Sequence, residues 1–392
     1  TYGTLRLGAS EVLPSTGAVV DLSATARLDL NGYNETIGSL AGSGLIDNQL
    51  AGSSSTLLVG GNNTSTNFSG SMTNSGAGAT LSLGKIGTGT LTLTTTNLFY
   101  AGPTVISGGV VQISSATNGA LGASMTNLVR INGGALYGGF TNNQYVLFRW
   151  EIGPLGAELR NTGHDSQRWL MHTPANGISG SGTVSLTFGS DISRFEFTNS
   201  QSTFTGKWIV DGGGSNSRLV DFYHGGAFGT GTGDTWITLL NSAGLLMRPG
   251  VVLGSANQGV TLGGGQSYLE IAGFATGTVA AKLVGPATNT LWLQFENQSS
   301  IMILSNTANS WLGATTLANT GTLRIGASGV VPDAGGTWTL QPAVTIDLFG
   351  NREVIGGLTG SGNIENRSPS TSSMLGIGGN GASTTFSGAL SN

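Results

Sequence analysis

Apolar and polar residues alternate with a period of two along most of this chain. Thr90-Leu91-Thr92-Leu93-Thr94, Arg27-Leu28-Asp29-Leu30 and Thr183-Val184-Ser185-Leu186-Thr187 are typical runs. Successive side chains of a strand point to opposite faces. Each run therefore predicts a short strand with Leu, Val or Ile turned to a core and Thr or Ser turned to water. Gly and Asn punctuate the runs, as tight turns require. No segment carries the spacing of a long amphipathic helix. The expectation is an all-β protein with almost no helix.

The pattern also recurs at long range. Gly3 to Asn74 returns without a gap as Gly321 to Asn392, at a constant offset of 318 (321 − 3), with 35 of 72 positions identical. GTLRLGAS at Gly3 becomes GTLRIGAS at Gly321, and LNGYNETIGSLAGSGLIDN at Leu30 becomes LFGNREVIGGLTGSGNIEN at Leu348. The offset divides by three: Leu7, Ile113, Leu219 and Ile325 are 106 residues apart and close short apolar-alternating runs. An aromatic residue two places before a glycine recurs as Tyr100-Ala101-Gly102, Phe204-Thr205-Gly206 and Trp311-Leu312-Gly313, and elsewhere in the unit as Phe68-Ser69-Gly70 and Phe386-Ser387-Gly388. Self-similarity of this kind predicts a stacked architecture whose core grows along one axis. The expected organisation is one continuous β-solenoid over 1–392, with repeat units 1–89 (partial), 90–194, 195–300 and 301–392 (partial). Coils of roughly 20–25 residues would suit it. Leu5 with Leu323, and Ile37 with Ile355, are expected to occupy equivalent inward sites.

Composition sharpens this picture. Gly makes up 67 of 392 residues while only 9% are charged, and mean hydropathy is +0.11. A disordered glycine-rich chain would be polar and charged, so these glycines are turn residues. The aromatic marker is expected to cap a core edge at a corner, with its glycine at φ > 0. Asn48, Asn62, Asn97, Asn309, Asn366 and Asn380 are expected to take left-handed turn positions or to bond their own turns. Net charge is −4, with no basic patch for nucleic acid. Cysteine is absent, which leaves the redox compartment open. No apolar stretch approaches the length of a membrane span. The chain starts and stops partway through its own repeat, so the natural molecule is expected to continue, covalently or by head-to-tail stacking of subunits into filaments.

The run Gly87-Thr88-Gly89-Thr90-Leu91-Thr92-Leu93, followed by Asn97, Tyr100, Gly102, Thr104, Ile106 and Gly109, resembles the autotransporter-associated β-strand repeat. Ser300 to Ile325 looks like a weaker copy, with Asn309, Trp311, Gly313, Thr315 and Leu317 in the key places. Phe195 to Gly212 is weaker again. The motif itself covers about a fifth of the chain. The resemblance implies a right-handed parallel β-helix in the passenger of a large bacterial surface protein, a class that contains adhesins and structural stalks. It names no ligand and no reaction, and no residues here resemble the translocator barrel of such proteins.

Chemistry-bearing residues are sparse. There is no G-x-S-x-G elbow, and Gly84-Lys85-Ile86 lacks the Ser or Thr of a phosphate loop. His164, His172 and His224 do not show metal spacing, and Gly229–Asp234 lacks the repeated acids of a calcium roll. No cofactor or metal is expected. One segment departs from the background: Arg149 to His172 holds six of the 34 charged residues (15 basic, 19 acidic). There Glu151, Glu158, Asp165 and Arg168 are candidate catalytic residues, with Arg149, Arg160, Trp150 and Trp169 beside them. Paired carboxylates could cleave a glycosidic bond while Trp stacks on sugar rings. The plainer alternative is a set of outward side chains paired at the surface. A second acidic-aromatic cluster is Asp211, Asp221, Phe222, Tyr223 and His224. An enzyme needs one special site, whereas a fibre needs sameness along its length, and sameness dominates here. The expected function is structural or adhesive, at the bacterial surface or outside the cell, and not enzymatic. A surface polysaccharide is the candidate partner. A polysaccharide lyase or glycosidase, or a carbohydrate-binding module on a β-helix, is the alternative.

Overall fold

The computed structural model describes residues 3–113, 121–122, 127–138, 144–145, 148–162, 168–171, 177–189, 194–201, 203–214 and 218–392, with the strands Gln144–Tyr145 and Arg168–Met171 described as backbone only. Among these residues every regular element is a β-strand and every strand pairing is parallel. The protein is a parallel β-solenoid, as the period-two pattern predicts. The chain groups into two compact units, Thr1–Ser193 and Arg194–Asn392.

In the first unit the described strands fall on three long ladders and one further pair, Gln144–Tyr145 with Arg168–Met171. One runs from Gly3–Arg6 to Ser71–Thr73, one from Glu35–Ile37 to Ile178–Gly180, and one from Val19–Leu22 to Thr183–Phe188. The second unit is built the same way. Its 12-residue strand Ala314–Ile325 serves two ladders: its first half pairs with Asn289–Phe295 and its second half with Ile301–Leu304. Asn319, at φ 68°, makes the corner between the halves. Register pairs show how far the chain travels per coil. Arg27 stacks on Leu45 after a short coil, and Trp150 stacks on Ile178 after a much longer one. These coils take 18 (45 − 27) and 28 (178 − 150) residues, so they fall on either side of the 20–25 expected from the sequence.

The core is a set of apolar columns. Val111, Leu136, Leu159 and Leu186 stack in register in the first unit, and all are buried. Val220, Leu245, Leu269, Leu293, Leu317 and Leu340 form a longer column in the second. Burying one such side chain contributes about 1.5–3 kcal/mol, so each added coil extends a favourable column. Aromatic rings fill wider cross-sections. Phe228 contacts Phe197, Trp208, Phe222 and Trp236 at centroid distances of 5.1 to 6.0 Å.

The 318-residue repeat is a repeat of structure. Gly3 pairs with Ala26 and Arg6 with Asp29; Gly321 pairs with Val344 and Arg324 with Asp347. The polar anchors recur at the same offset. The Glu35 carboxylate accepts from the backbone N–H groups of Val12 and Leu13, and Glu353 accepts from those of Val330 and Val331, all at 3.0–3.1 Å. Asp29 binds Arg6 at 2.7 Å, and Asp347 binds Arg324 at 2.9 Å. These buried carboxylates tie one coil to the next through donors that the strand ladder leaves open. The 106-residue spacing brings buried position to buried position at Leu7, Ile113, Leu219 and Ile325. It does not keep the face: Leu7 bonds to the ladder of Ala26–Asp29, while Ile113 ends a strand of the ladder that starts at Val19–Leu22.

Three local expectations meet different outcomes. Leu5 and Leu323 hold the same register position, opposite Leu28 and Ile346 respectively, as expected. Leu323 also has Met302 on its other side and is fully buried, while among the described residues no strand lies beyond Leu5, which is 54% exposed. None of the six Asn residues singled out takes positive φ, which Asn31, Asn63, Asn241 and Asn319 do. Asn62, Asn366 and Asn380 bond their own turns as expected, each Oδ1 accepting from the backbone N–H two residues on. Asn62 and Asn309 also reach between coils, to the carbonyls of Ala18 and Val330. Finally, the glycines of the aromatic marker are not at positive φ. They are there for space. A Cβ on Gly313 would lie 1.8 Å from the Asn289 carbonyl oxygen, and one on Gly102 would lie 2.6 Å from that of Leu81.

Candidate functional site

The aromatic marker is a core device. Tyr100 and Trp311 are buried and bond, four residues on, to the hydroxyls of Thr104 (2.6 Å) and Thr315 (3.0 Å). Each ring fills a corner while its polar atom is satisfied locally, which is how a buried Tyr or Trp avoids a desolvation cost. Burial raises the Tyr100 pKa well above the ordinary tyrosine value.

The charged segment Arg149–His172 does not fold into one cluster. Arg149–Ile152 alternates out and in. Trp150 is 1% exposed and meets Phe148 edge-on at 5.8 Å, so it cannot stack on a sugar at the surface. Glu151 points outward and pairs with Arg130 at 2.8 Å. The chain then turns at 153–156, and Ala157–Asn161 joins a different ladder. Glu158 therefore lies on another sheet from Glu151, with its own partners. It accepts from the Tyr137 hydroxyl at 3.2 Å and from the Thr187 hydroxyl at 2.9 Å. Arg160 sits over the Tyr137 ring, 5.5 Å from its centroid. Burial and then the Glu158 charge push the Tyr137 pKa up, so the phenol stays a donor. Asp165, His164 and His172 lie outside the described residues. Arg168 and Trp169 belong to a strand described as backbone only, paired with Gln144–Tyr145.

Glu158 and Tyr137 line an open groove of about 430 Å³ on the face of this ladder. The groove crosses four successive coils at Val110, Ala135, Glu158 and Ser185, which are register neighbours. Gly133, Gly134 and Gly156 at the adjoining corner carry no side chains to fill it, and Leu155, 74% exposed, forms a rim. Tyr137 is the residue that sequence reasoning missed. Its signal is a position one coil before Arg160 and diagonal to Glu158, which only a known coil length reveals.

The second cluster also separates. Phe222 is a core ring. Asp211 holds a turn by accepting from Gly213 N–H (2.8 Å) and Asn241 Nδ2 (2.9 Å). His224 Nδ1 accepts from Gly226 N–H in the next turn. Asp221 is buried against the Arg248 guanidinium, which also lies 5.0 Å from the Tyr223 ring centroid. Glu270 joins this region through the register Asp221–Leu246–Glu270. Burial, with the nearby Glu296 charge, raises its pKa to about 7. Among the described residues no group of three or more His, Cys, Asp or Glu could hold a metal ion, and no helix is long and apolar enough to cross a membrane.

No family model and no solved structure matches the chain. Over 157 residues the chain is 34% identical to a protein of Brucella suis biovar 1 (strain 1330) named "Adhesin BmaC autotransporter". The match covers 37% of this chain and 4% of that protein, so the chain corresponds to a small part of its relative's length.

Proposed function

We propose that this chain is a stretch of the passenger of a bacterial autotransporter adhesin, exposed at the cell surface or beyond it. Its task is to supply length, stiffness and a repeated outer face rather than to catalyse a reaction. The observation that carries this reading is the gap-free 318-residue repeat, whose strand registers and buried carboxylate anchors recur at a constant offset. The likeness to the named adhesin supports it, as does the resemblance of Gly87–Gly109 to the autotransporter-associated repeat. A polymer built by stacking similar coils presents the same chemistry at intervals, which suits multivalent attachment. Stacking of similar coils, covalently or head to tail, extends such an assembly without closing it.

The test is to display the chain on a non-adherent bacterium and to measure attachment to epithelial monolayers and matrix-coated surfaces. Attachment well above that of the undisplayed strain is expected. Attachment equal to the control on every surface would overturn the adhesive part of the reading.

A further inference from the structure

We infer that the groove spanning Val110, Ala135, Glu158 and Ser185 is a binding site for a neutral glycan chain laid along the stacking direction of the coils. The inference rests on the adhesive reading above and names what one face would hold. Four strands cross the groove floor. At about 4.8 Å per coil the floor is on the order of 14 Å long, and sugar repeats along a chain are of similar spacing to the coils. The volume of about 430 Å³ lies within the range of small-ligand sites and suits a few pyranose rings.

Its chemistry selects a polyhydroxylated ligand. Glu158 is half-buried and already accepts two hydroxyl donors, from Tyr137 and Thr187. A sugar hydroxyl pair can replace or join these donors without leaving the carboxylate unpaired, since an ionised carboxyl offers about four acceptor sites. Tyr137 adds a hydroxyl and a ring edge, Ser185 and Thr183 add further hydroxyls, and Leu155 offers an apolar rim to a sugar's C–H face. An extended peptide fits less well. Its backbone would need a free strand edge, and every strand of this ladder between its ends is paired on both sides. An acidic glycan fits less well too. Among the described residues Glu158 is the single charged group lining the groove, and the Arg160 cation is turned against the Tyr137 ring. The corner glycines keep the trough open: Gly133 and Gly156 have φ of 90° and 80°, a conformation that disfavours side chains.

The experiment uses the whole 392-residue chain and calorimetric titration with neutral hexasaccharides of glucose, mannose, galactose and N-acetylglucosamine. Hexagalacturonate and a heparin hexasaccharide serve as anionic probes. At least one neutral hexasaccharide should bind. Glu158→Ala and Tyr137→Ala should each weaken it at least tenfold, and Ser185→Trp, which fills the groove from an outward position, should abolish it. Arg130→Ala, on a different ladder, should leave it unchanged, and an unaltered melting curve shows that each variant folds. Three results overturn the proposal: no neutral hexasaccharide binding, stronger binding of the anionic probes, or binding indifferent to Glu158→Ala and Ser185→Trp. The two readings fail separately. Attachment without glycan binding sinks the groove alone, and glycan binding without attachment sinks the adhesive function alone.

Discussion

The residue least at home in this fold is Lys85. Its ammonium is buried and donates to the backbone carbonyls of Ile86, Gly87 and Gly108. Burial lowers its pKa from 10.5 to about 8. A lowered lysine pKa means the folded state prefers the neutral amine. Between pH 8 and 10.5 the unfolded chain binds more protons, so this group's contribution to stability rises with pH across that window and is least favourable below it. Lys85→Met removes the titration. The stability of the wild type relative to Lys85→Met should therefore improve from pH 7 to pH 10.5, by at most about 3 kcal/mol, less whatever the three carbonyls contribute to holding the charge. Denaturant melts of both proteins at the two pH values measure it, and a difference that stays constant or moves the other way refutes it. A smaller effect is expected at the aromatic marker. Tyr100→Phe keeps the ring but leaves the Thr104 hydroxyl without this partner, and should cost about 1 kcal/mol in the same assay.

At the scale of strands and corners, the spacing between coils decides what is tolerated. Gly313→Ala drives a methyl group into the Asn289 carbonyl of the coil before it, a contact of the new side chain against backbone. A cost of about 1–3 kcal/mol is expected. Gly264→Ala, where nothing lies within 4 Å and φ is not positive, should stay within about 0.5 kcal/mol. Equal costs at the two sites would show that coil spacing is not what excludes the side chain. The same spacing explains what could be read from sequence. Strand existence and the inward face were legible, because period two maps directly onto a two-faced strand: Leu91 and Leu93 are buried, while Thr90 and Thr92 are not. The long-range register was legible because the repeat has no gap. Which residues share a face was not. The coil from Arg27 to Leu45 is much shorter than the one from Trp150 to Ile178. With coils so unequal, counting cannot tell that Arg160 lies beside Tyr137 or that Arg248 meets Asp221. It also cannot tell that Glu151 and Glu158, close in sequence, fall on different ladders. Trp150 looked available because charged residues flank it, yet alternation turned it inward.

For the whole molecule, the position of a coil in the stack matters more than its sequence. Leu5 and Leu323 are the same residue of the repeat, preceded by Thr and followed by Arg in both copies. One is 54% exposed and the other fully buried, because a coil lies on each side of Leu323 and on one side of Leu5. In a stacked architecture stability is close to a sum of coil terms and nearest-neighbour interface terms, so a side chain's contribution depends on whether its neighbours are present. Leu323→Ala should cost about 2–5 kcal/mol, the range for a filled core site. Leu5→Ala should cost less than about 1 kcal/mol, since most of its surface already meets water. The decisive measurement grafts residues 296–320 directly ahead of Gly3. This places the Met302 strand over Leu5 as it lies over Leu323. In that longer chain the cost of Leu5→Ala should climb toward the value for Leu323→Ala, and the amide of Leu5 should exchange its hydrogen more slowly. If Leu5→Ala is already as costly as Leu323→Ala without the graft, or if the graft leaves its cost unchanged, stacking is not what distinguishes the two copies.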